Sequence, residues 1–178
     1  MIKKLFCLIL TACMTLFLSS CTVPDFTTGR DASIKMNKIL IEALNDRDVE
    51  KVKGLLCDAT LEIEDIDEQI TAMFDFFEEG VLPIDEDEII NSGAGSESGG
   101  FRNGVQTLNV SAYIDVCSES GKKYCIVMDA YTKTSNESIK GVSRIWVRDE
   151  SDLPEDMAER REALQEEERN CYVGKLIK

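Results

Sequence analysis

The chemistry best supported by the sequence is modification of a thiol, that of Cys21. Cys21 follows Leu18-Ser19-Ser20, which close an apolar run that starts at Leu5, and two lysines precede that run. A positive start, a short apolar segment and small residues at its end are typical of a secretory signal peptide. As a helix the run of 14 residues would be about 21 Å long, shorter than the ~30 Å hydrocarbon core of a bilayer. The pattern therefore predicts a signal peptide over residues 1–20.

Small residues directly before a cysteine resemble a bacterial lipobox. In that motif the thiol is diacylglycerylated, and the cysteine becomes the first residue of the mature protein. Two acyl chains hold a protein stably at a membrane, whereas one holds it only marginally. We therefore expect Cys21 to anchor the protein to the extracytoplasmic face of the cell membrane, with 21–31 as a lipidated tether. The alternative is an ordinary signal peptide cut nearby, in which Cys21 has no such role.

The charge of the chain restricts its partners. Acidic residues number 34 and basic residues 20, for a formal net charge of −14. Loss of residues 1–20 makes the balance more negative, since that segment holds two lysines and no acid. Such a charge repels phosphate backbones and anionic headgroups. The composition argues against nucleic-acid binding and leaves the lipid on Cys21 as the expected means of membrane attachment.

The sequence contains no histidine. That composition removes Ser-His-Asp and Cys-His nucleophiles, histidine metal sites and the usual general base near neutral pH. The acidic run at 85–88 does not fit an EF-hand, because Ile89 and Ile90 occupy the fifth and sixth loop positions. We predict no catalytic residue, metal ligand or cofactor.

Four cysteines follow Cys21 without a CxxC pair: Cys57, Cys117, Cys125 and Cys171. Outside the cytosol they permit disulfides in three connectivities. Cys117 and Cys125 flank a predicted hairpin and share a side-chain phase. They form the candidate disulfide if the register places them opposite each other, with Cα atoms about 4.4–6.8 Å apart.

Residues 32–178 are predicted to form a single α+β domain. Apolar residues at helical spacing predict one helix from Ala32 to Asp46 and a second over 49–57. A third helix is predicted between Asp65, which begins a capping box with Glu68, and Gly80 as the residue after its end.

Beyond Gly80 the apolar period falls to two, which indicates strands. The predicted elements are a short edge strand at Ile84–Asn91, a mobile loop at Ser92–Gly100, strands at Gln106–Cys117, Lys123–Lys133 and Lys140–Arg148, an acidic solvated helix at about 153–170, and a last strand at 172–177. Alternation in the three longer strands sends one apolar face toward the helices. The opposite face would carry Tyr113, Tyr131 and Trp146 among Asp115, Asp129, Arg144 and Arg148.

Helices followed by a glycine-bearing crossover and an antiparallel sheet resemble the cystatin-like roll of the nuclear-transport-factor-2-like superfamily. Residues 41–56, I-E-A-L-N-D-R-D-V-E-K-V-K-G-L-L, resemble the helix–turn–helix opening of that superfamily. The lipobox, the acidic third helix and the strand I-K-G-V-S-R-I-W-V resemble a family of uncharacterised Gram-positive lipoproteins. The resemblance covers about residues 32–150 and implies N-terminal helices packed on a curved antiparallel sheet.

Two function classes follow. The first is a binding or protein-interaction module, using either an apolar cavity for a small apolar ligand or the outer sheet face around Tyr113, Tyr131, Arg144 and Trp146. The resemblance implies a homodimer as the first partner, because the superfamily often dimerises through this face; another envelope protein is the second. Tyr, Trp and Arg are enriched at interfaces. The alternative is an isomerase or hydratase with an acid of raised pKa in the cone-shaped cavity.

Overall fold

The computed structural model describes residues 29–77, 80–92, 96–102 and 105–175. In these residues, N-terminal helices precede a five-stranded antiparallel sheet that is curved and unclosed. The predicted α+β class is confirmed, and the architecture is consistent with a nuclear-transport-factor-2-like roll. The predicted signal peptide at 1–20 and the lipidation site Cys21 lie outside the described residues.

Within the described residues, the part of the chain before the sheet contains one long helix and four shorter ones. They are α1 (Gly29–Asp46), α2 (Val49–Lys53), α3 (Asp58–Leu61), α4 (Ile66–Phe76) and α5 (Glu86–Ser92). Helix α1 begins at Gly29, so the end of the predicted 21–31 tether is helical. The helix predicted over 49–57 ends at Lys53, and a turn leads into α3.

The strands follow one another across the sheet in chain order. They are β1 (Ser96–Arg102), β2 (Val105–Cys117), β3 (Lys123–Lys133), β4 (Gly141–Asp149) and β5 (Asn170–Gly174). The three longer strands match their predicted bounds to within one residue at each end. Helix α6 (Met157–Ala163) and a 3-10 turn (Glu167–Arg169) connect β4 to β5.

The core lies between the helices and the apolar face of the sheet. Ala112, Met128 and Ile145 stand opposite one another on β2, β3 and β4 and are fully buried. Helices α1 and α4 contribute Leu40 and Ile70, both also fully buried. Burying a large apolar side chain stabilises the fold by about 1.5–3 kcal/mol. This gain explains why every second residue of the central strands is apolar and faces the helices.

Two β-bulges interrupt the register at the same end of the sheet. Asn109 faces Tyr131 whereas Leu108 faces Lys133, so Thr132 is an extra residue in β3. Asp129 faces Arg144 whereas Ala130 faces Val142, so Ser143 is an extra residue in β4. A bulge of this kind bends its strand and redirects the side chains beside it.

Two predicted elements between α4 and β2 are wrong. The segment at Ile84–Asn91 is not an edge strand, because helix α5 occupies most of it. Asp85 starts this helix by accepting a 2.6 Å hydrogen bond from the Glu88 amide, and Ile89 is buried. The predicted loop at Ser92–Gly100 contains most of β1 instead, which pairs with β2 over its whole length.

Several predicted helix ends also need correction. Asp65 precedes α4, but its carboxylate accepts from Gln69 Nε2 at 3.0 Å and makes no cap bond. The helix is capped at Phe77, so Gly80 lies beyond the predicted position. The helix predicted at 153–170 is reduced to α6 and the 3-10 turn.

A substitution at Gly174 tests how closely β5 packs against β4 and α3. Its φ is +78°, and a Cβ there would lie 2.3 Å from the Ser143 carbonyl oxygen and 2.8 Å from Thr60 Cγ2. We expect Gly174→Ala to lower the free energy of unfolding by more than about 2 kcal/mol, since a left-handed backbone and a steric clash both oppose it. Urea unfolding measures the loss.

Gly121→Ala is the matched control. Gly121 also has a positive φ, +88°, but apart from the glycine and its two chain neighbours no heavy atom lies within 4 Å of the position that an alanine Cβ would take there. Its substitution should cost only about 1 kcal/mol, the backbone part of the effect. An equal loss of unfolding free energy in the two variants would contradict the close packing of Gly174.

Candidate functional site

The outer sheet face is the surface of the sheet opposite the helices. Its side chains form cross-strand rows, of which Tyr113, Val127, Trp146 and Tyr172 make the central one. Flanking rows are Ser111, Asp129, Arg144 and Asp115, Cys125, Arg148, Asn170. Tyr113, Arg144 and Trp146, predicted from sequence to share a surface, therefore lie on one face of the sheet, with Val127 between Tyr113 and Trp146.

Trp146 is contacted on several sides. Its ring stacks on that of Tyr172, with centroids 6.0 Å apart and planes 9° from parallel. The guanidinium groups of Arg148 and Arg144 lie 5.1 Å and 6.0 Å from the ring centroid. The indole Nε1 donates to Asn170 Oδ1 at 2.9 Å. Trp146 is thus fixed in position and half-buried, whereas its stacking partner Tyr172 is 48% exposed.

Asp129 is the buried acid of this face, with 7% of its surface exposed. Its Oδ2 accepts from Arg144 Nε at 2.9 Å and from Nη2 at 2.6 Å, while Oδ1 accepts from Ser111 Oγ at 2.7 Å. Removing one member of a buried ion pair leaves the other charge uncompensated. Arg144 is therefore held by its ion pair with Asp129, and this pair keeps the guanidinium group at the Trp146 ring.

A second polar network runs along the neighbouring row. Tyr113 donates its hydroxyl to Asp115 Oδ2 at 2.7 Å, and that hydrogen bond raises the pKa of Tyr113 above its usual value. Burial raises the pKa of the Cys125 thiol to about 12, opposed by the charge of Arg148. Arg148 in turn forms an ion pair with Glu150. Cys125 is consequently a neutral packing residue near neutral pH.

The C-terminal segment folds back beside the Trp146–Tyr172 stack. Asn170 Nδ2 donates to the carbonyl oxygens of Leu164 and Glu166 at 3.3 and 2.7 Å, which holds the segment in place. A groove of about 440 Å³ remains, lined by Trp146, Arg148, Arg161, Leu164, Gln165, Asn170 and Tyr172. Among the residues that the structure describes, Arg161 has no ion-pair partner.

Sequence reasoning missed Tyr172 and Asn170 as members of this face. The available signal was alternation in the last strand, where Val173 is buried and its neighbour Tyr172 is exposed. The predicted surface includes Tyr131, but this residue lies beyond the register shift at Ser143 and lines a separate groove near α1. The structure therefore does not place Tyr131 beside Trp146.

The register of β2 and β3 does not place the two cysteines of the candidate disulfide opposite each other. Cys117 stands opposite Lys123, and Cys125 stands opposite Asp115. The two cysteines are diagonal neighbours, a relation in which Cα atoms are about 7–8 Å apart and outside the disulfide range. All four described cysteines, Cys57, Cys117, Cys125 and Cys171, are free thiols in the structure.

The inner face of the sheet offers little acid–base chemistry. The residues of its central strands are buried and apolar or aromatic: Val110, Ala112, Ile114, Val116, Tyr124, Ile126, Met128, Ala130, Ile145 and Val147. Within the described part of the chain, no cluster of three acidic, cysteine or histidine side chains is arranged to hold a metal ion. No helix there has the length and apolarity needed to span a bilayer.

The thiols should differ sharply in reactivity. Cys117 is exposed, whereas Cys57 and Cys125 are 1% and 4% exposed. At pH 8 we expect iodoacetamide to alkylate Cys117 in the native protein while Cys57 and Cys125 react only after unfolding, because the reagent cannot reach their buried sulfur atoms. For Cys125, burial also raises the pKa and so lowers the share of the reactive thiolate. Mass mapping of alkylated peptides measures this order. Native labelling of Cys125 as fast as Cys117 would contradict the burial of Cys125 in the sheet.

Comparison with protein families matches residues 38–151 to a domain of unknown function, DUF5104. The matched range contains helices α2 to α5 and strands β1 to β4, including Trp146, whereas Tyr172 and Asn170 lie beyond it. Comparison with curated proteins gives no match. Since the match extends over more than half of the 178 residues, the chain belongs to the DUF5104 family.

Proposed function

We propose that the protein is a lipid-anchored extracytoplasmic binding module of the nuclear-transport-factor-2-like type. A diacylglyceryl group on Cys21 attaches it to the cell membrane. Its outer sheet face contacts a protein partner, and a second copy of the same chain is the first candidate. Another envelope protein is the alternative partner.

The observation that carries the proposal is the half-exposed Tyr172 stacked on the immobilised Trp146. Aromatic residues and arginine dominate binding hot spots because they combine a large contact area with directional polar groups. A side chain already fixed in the free protein loses little conformational entropy on binding. Trp146 is fixed by Asn170, Arg148 and Arg144, which favours binding on this face.

The charge pattern of the face supports self-association. The face holds both arginines and carboxylates, among them Arg148, Arg161, Asp115 and Glu150. A two-fold interface brings the same patch of each copy together, so a patch containing both signs can be complementary to itself. Opposed charges give such an interface specificity more than affinity.

The isomerase or hydratase alternative gains less support. It needs an acidic group of raised pKa within the cone. The inner-face residues named above are packed and carry no carboxylate among those described. We therefore favour the binding module.

Tyr172→Ala tests the interface. We expect concentration-dependent dimerisation of the wild-type chain and a dissociation constant raised at least about tenfold in the variant, since truncating a hot-spot aromatic costs ~2 kcal/mol or more of binding energy. Sedimentation velocity measures association, and thermal unfolding confirms that the variant remains folded.

Phe101→Ala is the matched control, because it removes a 77% exposed aromatic side chain from β1 at the far edge of the sheet. It should leave dimerisation unchanged. A wild-type chain that stays monomeric at all concentrations would refute self-association, and an equal effect of Phe101→Ala would refute a site at Tyr172.

Cys21→Ala tests the anchor. In a bacterium that processes lipoproteins, the wild-type protein should fractionate with membranes and the variant should be released or remain unprocessed, because it lacks the acylated thiol. Detergent phase partitioning and the mass of the N-terminal peptide measure this. Cys117→Ala is the control. An unmodified wild-type protein, soluble and cut elsewhere, would contradict lipidation.

A further inference from the structure

A groove of about 610 Å³ lies at the end of the sheet where α1 begins. It runs between α1, the Gly54–Leu55 turn, the end of β3 and the start of β4. Its volume is within the range of ~300–1,000 Å³ typical of small-ligand sites. It is separate from the groove at Trp146, with which it shares no lining residue.

Apolar and small side chains line most of this groove. Met36, Ile39 and Leu55 pack against the core, and Val142 is fully buried at its base. Ala32, Ala130 and Gly141 are small and leave the space open. Such a lining suits an alkyl chain, because each buried methylene group gains from leaving water.

The two bulges shape the groove. The extra residue of one bulge, Thr132, lines it directly, and the extra residue of the other, Ser143, follows the lining residue Val142. Two backbone bonds fix β4 here: Val142 N donates to the Leu55 oxygen and Cys57 N to the Val142 oxygen, both at 2.9 Å. Bulges are over-represented next to functional sites because they redirect side chains. The groove is therefore preformed.

The charge of the groove is opposite to that of the chain. Its lining includes Lys35, Lys133 and Lys140 and no acidic residue, although acids outnumber bases 34 to 20 in the sequence. Lys140 has an ion pair with Glu137 at 3.4 Å, but both side chains are more than half exposed. A pair of this kind is weak enough for a ligand to replace. We call the site the lysine-rimmed groove.

We propose that the lysine-rimmed groove binds one single-chain anionic amphiphile, with its alkyl chain on the apolar lining and its acidic head among Lys35, Lys133 and Lys140. The complementary charge selects an anion over a neutral or cationic chain. The apolar lining selects a chain over a free inorganic anion. This site goes beyond the proposed function, because it uses a different surface and does not depend on a partner at Trp146.

Calorimetric titration of the full chain with dodecanoate, below the concentration at which it forms micelles, tests the proposal. One ligand should bind per chain, and decanoate and octanoate should bind more weakly by about threefold to fourfold per methylene removed. Dodecyltrimethylammonium, which has the same chain and the opposite charge, should not bind at this site. Equal binding of the cation, or no saturable binding of dodecanoate, would overturn the proposal.

Substitution of the rim lysines distinguishes a defined binding site from general electrostatic attraction of the anion. Lys35→Gln, Lys133→Gln and Lys140→Gln should each weaken dodecanoate binding about twofold to fivefold, as expected for exposed charge pairs. Lys38→Gln is the matched control, since Lys38 is exposed on the same helix and does not line the groove. Ala32→Phe, which fills the groove and keeps every lysine, should weaken binding at least about tenfold. Equal effects of Lys35→Gln and Lys38→Gln would refute a defined site.

Photo-crosslinking locates the chain directly in the wild-type protein and does not depend on whether any variant folds. Dodecanoate carrying a diazirine near its end should label peptides that contain residues 32–39 or 130–142. Competition by unlabelled dodecanoate should remove the labelling. Competed adducts found only elsewhere in the chain, including residues 1–28 or the surroundings of Trp146, would overturn the proposal.

Discussion

The register that joins β2, β3 and β4 is the constraint on which the rest of the structure depends. Side chains alternate between the two faces of a sheet, so a slip of one residue would exchange every inward and outward position. In the observed register Met128 and Ile145 meet under the helices, while Val127 and Trp146 meet on the outer face. The apolar core and the aromatic surface are consequently two results of one pairing.

The bulge at Ser143 reconciles this register with the sequence of β4. In an uninterrupted strand Val142 and Arg144 would point to the same face, although one is apolar and the other charged. The extra residue turns Val142 inward opposite Ala130 and leaves Arg144 outward opposite Asp129. Asp129 is nearly buried and is stabilised by its ion pair with Arg144. The bulge therefore positions the charge of Arg144 at Asp129, and it directly follows Val142, which lines the groove beside α1.

The sequence predicted a strand correctly where the alternation of side chains determines it. The prediction failed where pairing of the main chain determines it. The alternation of Val110 to Val116 specifies β2, whereas β1 consists largely of serine and glycine and forms through main-chain pairing with β2. The carboxylate of Asp85 begins helix α5, which the two-residue periodicity of the sequence hides. The two surfaces were harder to predict than the strands. Tyr172 stacks on Trp146 from β5, a strand that is far from β4 in the sequence, and Lys35 and Lys133 line the same groove only after the chain folds.

The two surfaces use positive charge differently within an acidic chain. On the outer face Arg144 and Arg148 are paired with carboxylates, so in the proposed interface they would orient a partner rather than attract it. In the lysine-rimmed groove no carboxylate contributes to the lining, and the ion pair of Lys140 with Glu137 is exposed. At physiological ionic strength charges beyond ~8 Å are largely screened, so the net charge of −14 acts weakly on an anion already at the groove. The nearby lysines and the apolar lining then determine what binds there.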